Sequence, residues 1–291
     1  MSQNKKILVL GAASWLGSIF LNKTKSNGFQ DAVGTYYKTY IAFDEPIKIE
    51  RARELSDYQS ILKKETPDII INFLRGENEE GFNIHQEIIK YCTRYQESQY
   101  VYTSSALALD AYMDKDLTEN VLANAKSEYG KFKARCEKAL YNADCNWTIL
   151  RFSSLQGYCA HKIIRNEHFL SQLKKGEFIK VDQGVYQNRM LAEDAVDMMF
   201  KIIGQKKTGI IHLGTTDASD EIDFLKRQAQ CFGYDENQIV PSGNKRNVKL
   251  NCIPKKIHAI HKEALNFTET YTLERISEIP AYQKYLNSYE I

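Results

Sequence analysis

The chain has 291 residues, 43% of them hydrophobic and 26% charged, which describes a folded protein with room for two domains rather than a disordered one. Its 39 Lys+Arg against 37 Asp+Glu leave a net charge of +2, a balance that argues against a nucleic-acid binder or a polybasic membrane protein. No run of about 18 apolar residues offers a membrane-spanning helix, and six cysteines with no CxxC pair read as reduced thiols of a cytoplasmic protein.

Lys5-Lys6 followed by the apolar stretch Ile7–Phe20 has the outline of a signal peptide. A buried first strand running into a glycine turn is preferred, because a longer pattern continues from it. Ile7–Leu10 shows no alternation, as expected of a strand covered on both faces. A helix over Ser18–Lys25, strands over Ala32–Tyr37 and Ile47–Glu50, and a helix over Leu55–Lys64 follow. Thr66-Pro67-Asp68 turns into the clearest strand, Ile69–Phe73. Next come a helix over His85–Tyr95, a strand over Gln99–Thr103, a helix over about Ser127–Tyr141 and a strand over Trp147–Phe152. After a less regular stretch, a helix over Ala192–Ile203 leads to a strand over Gly209–Leu213.

This alternation predicts an α/β fold: a Rossmann-like, doubly wound parallel sheet with a smaller mixed α/β domain appended. The expected division gives 1–156 plus about 186–213 to the first domain, and about 157–185 plus 214–291 to the second.

Gly11-Ala-Ala-Ser14-Trp15-Leu16-Gly17 joins the first strand to a helix. A dinucleotide loop needs a tight turn, close approach of backbone to a pyrophosphate, and N–H groups at a helix N-terminus. Gly11 suits the turn and Gly17 suits close helix–strand packing. Ser14 stands where a middle glycine is usual, and its hydroxyl is a candidate phosphate donor. The second predicted strand ends Tyr36-Tyr37-Lys38 without an acid. A basic residue there accommodates the 2′-phosphate of NADP, so NADP(H) is favoured over NAD(H).

Tyr129 and Lys133 are four residues apart on one helix face. An ammonium near a phenol favours the phenolate and makes the tyrosine usable in acid/base chemistry. Tyr102-Thr103-Ser104-Ser105 ends a strand at the sheet edge where such folds bind ligands.

Glycine turn, Thr66-Pro-Asp-Ile-Ile-Ile-Asn72, serine-ended strand, Tyr129–Lys133, Thr148-Ile-Leu-Arg-Phe152, Ala192-Glu-Asp194 and Ile211-His-Leu-Gly214 occur in one order across nearly the whole chain. In that order and spacing the chain resembles the extended short-chain dehydrogenase/reductase superfamily. It is most similar to the dTDP-4-dehydrorhamnose reductase branch, through the PDxxIN strand, the helix Tyr129-Gly-Lys-Phe-Lys-Ala-Arg-Cys-Glu137 and the loop Val181-Asp-Gln-Gly184.

The resemblance implies a nicotinamide cofactor, a nucleotide-sugar substrate held by the C-terminal domain, and possible homodimers through two exposed helices. Tyr129 is implied as proton donor, Lys133 as a ribose ligand that lowers the Tyr129 pKa, and Ser105 as the group polarising a keto carbon. Gly11, Ser14, Trp15, Leu16, Gly17, Tyr37, Lys38, Phe73, Leu74, Arg75 and Phe152 are the expected cofactor-binding residues. Phe73-Leu74-Arg75 replaces small alanines of that branch, and Ser104-Ser105-Ala106 looks more like the epimerase form. The leading expectation is an NADP-dependent reductase of a nucleotide-activated 6-deoxy-4-keto sugar, for glycan or cell-surface polysaccharide precursors. The alternatives are an epimerase or dehydratase on the same scaffold, and a non-catalytic NADP-binding regulatory subunit.

No metal is expected: His258 and His261 lie near Cys252, but no second cysteine completes a site. Lys245-Arg246 and Lys255-Lys256 are candidate diphosphate ligands, weighed against ordinary solvated charges.

Overall fold

The computed structural model describes residues 3–43, 46–112 and 117–287. In chain order the elements are β1 (Gln3–Leu10), α1 (Trp15–Asn22), β2 (Phe29–Tyr36), β3 (Lys48–Arg51), α2 (Leu55–Glu65), β4 (Ile69–Asn72), α3 (Glu79–Arg94), β5 (Gln99–Ser105), α4 (Glu128–Tyr141) and β6 (Asn146–Phe152). They continue with β7 (Ser154–Gln156), α5 (Arg165–Lys174), β8 (Ile179–Gln187), β9 (Arg189–Leu191), α6 (Ala192–Gly204), β10 (Gly209–Leu213), β11 (Ser219–Asp220), α7 (Glu221–Cys231), β12 (Ile239–Leu250), α8 (Lys255–Ile260) and α9 (Glu269–Ser277).

The chain divides into two compact units, each built from three stretches: 1–108, 123–151 and 199–211 in the first, and 109–122, 152–198 and 212–291 in the second. The first unit carries the seven-stranded sheet in the order β10-β6-β5-β4-β1-β2-β3. The order reverses between β1 and β4, which pair in parallel through Ile7–Ile69 to Leu10–Asn72. Each of these strands is an apolar run because helices cover both faces, and Ile7–Leu10 and Ile69–Ile71 are essentially inaccessible. Every predicted strand and helix of this unit is present.

Several boundaries differ from the pattern-based expectation: α1 ends at Asn22 rather than Lys25, β2 starts at Phe29 rather than Ala32, β5 runs on to Ser105, and two helix starts move for a local reason. Helix α1 begins three residues early because Ser14 caps it, and α3 begins at Glu79 rather than His85 because the Asn78 side chain caps Gly81 N–H.

The second unit has its own core, with Phe169, Leu170, Phe224, Phe232, Leu273 and Tyr282 at its centre. Its three-stranded sheet runs β11-β8-β12, with β12 parallel and β11 antiparallel to β8. Arg189 is fully buried there, between Glu221 and Glu269 at 2.6 Å each. Among the described residues no helix is long and apolar enough to cross a membrane.

Candidate active site

The carboxyl ends of β1, β2 and β4 open on a cavity of about 430 Å³ within the first unit. Gly11, Ser14, Tyr37, Lys38, Phe73, Leu74 and Arg75 line it, joined by Arg53 and Tyr58. The turn is sterically specified. Gly11 has φ +74°, and a Cβ on Gly17 would lie 2.3 Å from the Gly11 carbonyl oxygen, so α1 packs onto β1 only with glycine there. Gly11 N–H donates to Thr35 Oγ1 at 3.1 Å and Ala12 N–H to the Thr35 carbonyl at 2.8 Å, which fixes the turn against β2.

The Ser14 hydroxyl accepts from Gly17 N–H at 3.1 Å as the N-cap of α1. One of its two acceptor lone pairs is thereby used by the helix, and its O–H proton remains to donate to a phosphate. Trp15, Leu16 and Gly17 form the first turn of α1, where backbone N–H groups and the helix dipole favour an anion. Together with a cavity long enough to run from β2 to the β4 loop, these residues fit a dinucleotide. Phe152 ends β6 as a buried side chain and is not among the residues lining this cavity.

Pattern reasoning missed Arg53. It lies two residues beyond β3 in no recognised motif, yet it lines the same cavity as Lys38. The signal available was two arginines, Arg51 and Arg53, at the end of the third strand, beside a second strand that already ended in lysine.

Asn72 organises the β4 loop. Its Oδ1 accepts from Leu74 N–H at 2.9 Å and its Nδ2 donates to the Tyr100 hydroxyl at 2.8 Å. Tyr100 in turn lies 2.7 Å from His85 Nδ1, while His85 Nε2 lies 3.0 Å from the Cys136 carbonyl. A carbonyl only accepts, so Nε2 carries the proton and Nδ1 accepts from Tyr100. Burial pushes the His85 pKa down to about 4, which keeps this chain neutral.

Ser105, Tyr129 and Lys133 come together in the first unit, from the end of β5 and the first turns of α4. Ser127 caps α4 through Gly130 N–H at 3.1 Å. The Ser105 hydroxyl accepts from Leu107 N–H at 3.2 Å and lies near enough to the Tyr129 phenol to favour its ionised form. Lys133 is buried, donates to the Thr103 carbonyl at 2.9 Å, and places Nζ 5.6 Å from the Tyr129 ring centroid.

The electrostatics differ from the simple tyrosine–lysine expectation. Burial raises the Tyr129 pKa, while the Arg75 charge and the nearby Ser105 hydroxyl pull it back and Glu77 adds to the rise. Burial also lowers Lys133 to about 8, so its own charge is held at a cost. Tyr129 therefore keeps its proton at neutral pH.

A buried network braces this group. Ser104 donates to Glu137 Oε1 at 2.5 Å, and Glu137 accepts from Arg151 Nε and Nη2 at 2.6–3.2 Å. Tyr141 donates to Glu137 Oε2 at 2.5 Å. Both charged side chains are 0% exposed. The network ties α4, which carries Tyr129 and Lys133, to β5, which carries Ser105, and to β6.

The second unit holds a separate cavity of about 420 Å³ between α5, β8 and β12. Arg165, Lys180 and Arg246 supply its positive charge and Phe169 and Val181 part of its apolar wall. Of the basic pairs singled out in the sequence, Arg246 reaches this cavity. Lys255 and Lys256 open α8 instead, with Lys256 N–H donating to Glu119 at 2.9 Å. Among the described residues no group of three or more His, Cys, Asp or Glu side chains is placed to hold a metal ion.

The family model described as RmlD substrate binding domain matches residues 78–265, more than half of the chain. The chain belongs to the RmlD substrate binding domain family. The extended short-chain dehydrogenase/reductases, of which this family is a branch, are NAD(P)-dependent enzymes. No curated protein matches the sequence. Solved structures similar in fold include dTDP-glucose 4,6-dehydratase from Bacillus anthracis str. Ames in complex with NAD, at 13% identity and TM-score 0.79 over 96% of this chain and 97% of that one. UDP-N-acetylglucosamine 4-epimerase from Bacillus cereus aligns at 20% identity and TM-score 0.71, covering 94% and 98%. UDP-glucose 4-epimerase from Thermus thermophilus, complexed with NAD, aligns at 16% identity and TM-score 0.72, covering 91% and 98%.

Proposed function

We propose that this RmlD-family chain is an NADP-dependent reductase of a keto group on a nucleotide-activated sugar. The observation that carries this reading is the grouping of Ser105, Tyr129 and Lys133 in the same unit as a dinucleotide-sized cavity whose lining includes the cations Lys38, Arg53 and Arg75. Gly11, Ser14 and the first turn of α1 would hold the pyrophosphate, Phe73 and Leu74 would line the cavity wall, and Lys38 with Arg53 would hold a 2′-phosphate. When bound, a reduced nicotinamide supplies hydride to the keto carbon. The Ser105 hydroxyl polarises the carbonyl oxygen, and the Tyr129 phenol delivers its proton to that oxygen as negative charge develops. Lys133, charged below about pH 8, stabilises the phenolate left behind. In the second unit, Arg165, Lys180 and Arg246 suit the diphosphate of a nucleotide sugar.

The test follows NADPH absorbance with a panel of nucleotide 4-keto-6-deoxy sugars. Oxidation that depends on one sugar supports the reductase. Tight NADPH binding without oxidation across the panel favours an epimerase or dehydratase, the activities named for the similar solved structures.

Cofactor choice yields a separate prediction. Lys38→Asp is expected to weaken NADPH about tenfold or more and leave NADH nearly unchanged, since a charge-assisted bond to phosphate contributes about 1.5–3 kcal/mol. Adding Arg53→Ala should weaken NADPH by a comparable further factor. Titration of each variant with both cofactors measures this, and an unchanged NADPH/NADH ratio would leave both side chains as surface charges.

A further inference from the structure

The β4 loop carries an arginine that the residues around it do not explain by packing. Arg75 is exposed, pairs with Glu77 at 3.2 Å, and places its guanidinium carbon 5.9 Å from the centroid of the Tyr129 ring. Lys133 lies at a similar 5.6 Å but is buried and tied to the Thr103 carbonyl. Two cations thus flank one phenol, the lysine from within α4 and the arginine from the loop that Asn72 holds in place through Leu74 N–H.

We propose that Arg75 and Glu77 form an electrostatic dial on Tyr129, in which Arg75 favours the phenolate and Glu77 opposes it. This rests on the reading of Tyr129 as the proton donor, and it makes Arg75 a positioning residue that acts on the reaction through Tyr129. Arg75 from the β4 loop and Lys133 from α4 face the phenol ring, Glu77 of the same loop is placed by its ion pair with Arg75, and Ser105 of β5 acts on the phenol as well. Lys133 in turn feels Cys136 and Glu137 of its own helix and Arg75 and Glu77 of the loop, and lies 4.9 Å from the ring centroid of Tyr102 of β5. Of these, only Arg75 and Glu77 are both charged and exposed, so their charges can be removed without opening a core. Opposite signs on one loop give opposite effects, a pattern that loss of structure does not produce.

The experiment places 3-fluorotyrosine at position 129 of the full chain, so that one fluorine signal follows one phenol through its titration. Two unit charges about 6 Å apart in a largely aqueous setting shift an ionisation by about half to one pH unit. Arg75→Gln should raise the titration midpoint by that amount, Glu77→Gln should lower it, and Arg75→Lys should stay near the parent value. Molar salt should compress all three toward one midpoint. Coincident midpoints in Arg75→Gln and Glu77→Gln, or shifts of the same sign in both, overturn the proposal. A raised Michaelis constant for NADPH in Arg75→Gln with an unmoved midpoint also overturns it, and assigns Arg75 to the cofactor instead. The readout needs no substrate, so split midpoints support the dial whether or not the sugar panel yields turnover. Absence of turnover counts against the reductase reading alone.

Discussion

Replacing Tyr129 by Phe is expected to lower kcat by about 10²–10⁴-fold while NADPH binds with unchanged affinity. In the proposed reaction the phenol is the donor, and burial raises its pKa and so keeps it protonated at neutral pH. Phenylalanine preserves the ring and its packing and removes only the hydroxyl that carries the proton. Turnover with the responsive sugar, together with fluorescence titration of NADPH, separates the two effects. Full activity in this variant would sink the mechanism, and loss of NADPH binding would mean that Tyr129 shapes the cofactor cavity. The same chemistry sets the pH profile. Lys133 is cationic below about 8 and neutral above it, so kcat should fall as pH rises through that value. An alkaline limb near the ordinary lysine value, above pH 10, would show that Lys133 is not desolvated in the working enzyme.

The largest effect on stability is expected from Glu137→Gln. Glu137 and Arg151 are both fully buried, and the carboxylate is the group on which Arg151, Ser104 and Tyr141 converge. Neutralising it leaves a guanidinium charge in the core facing a weaker partner, a change that costs about 3–5 kcal/mol. For a protein of this size that corresponds to a fall in Tm of roughly 10 °C. Arg151→Met should cost a similar amount, because it strands the carboxylate instead. The double replacement Glu137→Leu/Arg151→Met should recover much of the loss, since a hydrophobic pair of similar volume needs no desolvated charge. Denaturant unfolding of these variants together with Glu137→Leu alone measures this cycle, and additive losses in the double variant would falsify it.

Much of the first unit is readable from its residues, for a physical reason. A parallel sheet covered on both faces demands unbroken apolar strands such as Ile69-Ile70-Ile71, and covering helices need an apolar stripe. The start of α3 is not readable in this way, since Glu79-Glu80-Gly81 carries no apolar period and the signal lies in Asn78 as a cap. The grouping of Ser105 with Tyr129 and Lys133 is legible from order and spacing. The role of Ser14 is not, because one hydroxyl suits a phosphate and a helix cap equally well on paper. Glu137 and Arg151 enter the sequence reading only as members of two separate motifs 14 residues apart, and only their complete burial makes them a brace. Strands β8 and β12 escape because each has an exposed face and polar residues interrupt any run.

The first unit is not a contiguous piece of chain. Its edge strand β10 and the residues before it arrive only with the stretch 199–211, after much of the second unit has been made. Phe200 from that stretch stacks on Phe20 of α1 with centroids 4.3 Å apart. The Lys207 carbonyl receives both Gln99 at 3.1 Å and Thr148 at 2.7 Å. A nascent chain emerging from the ribosome must therefore hold an incomplete sheet, its β6 edge unpaired, until roughly two thirds of the protein has been synthesised. Folding yield in the cell should then depend on the translation rate across the middle of the message, and a fragment cut near residue 156 should expose that edge and self-associate.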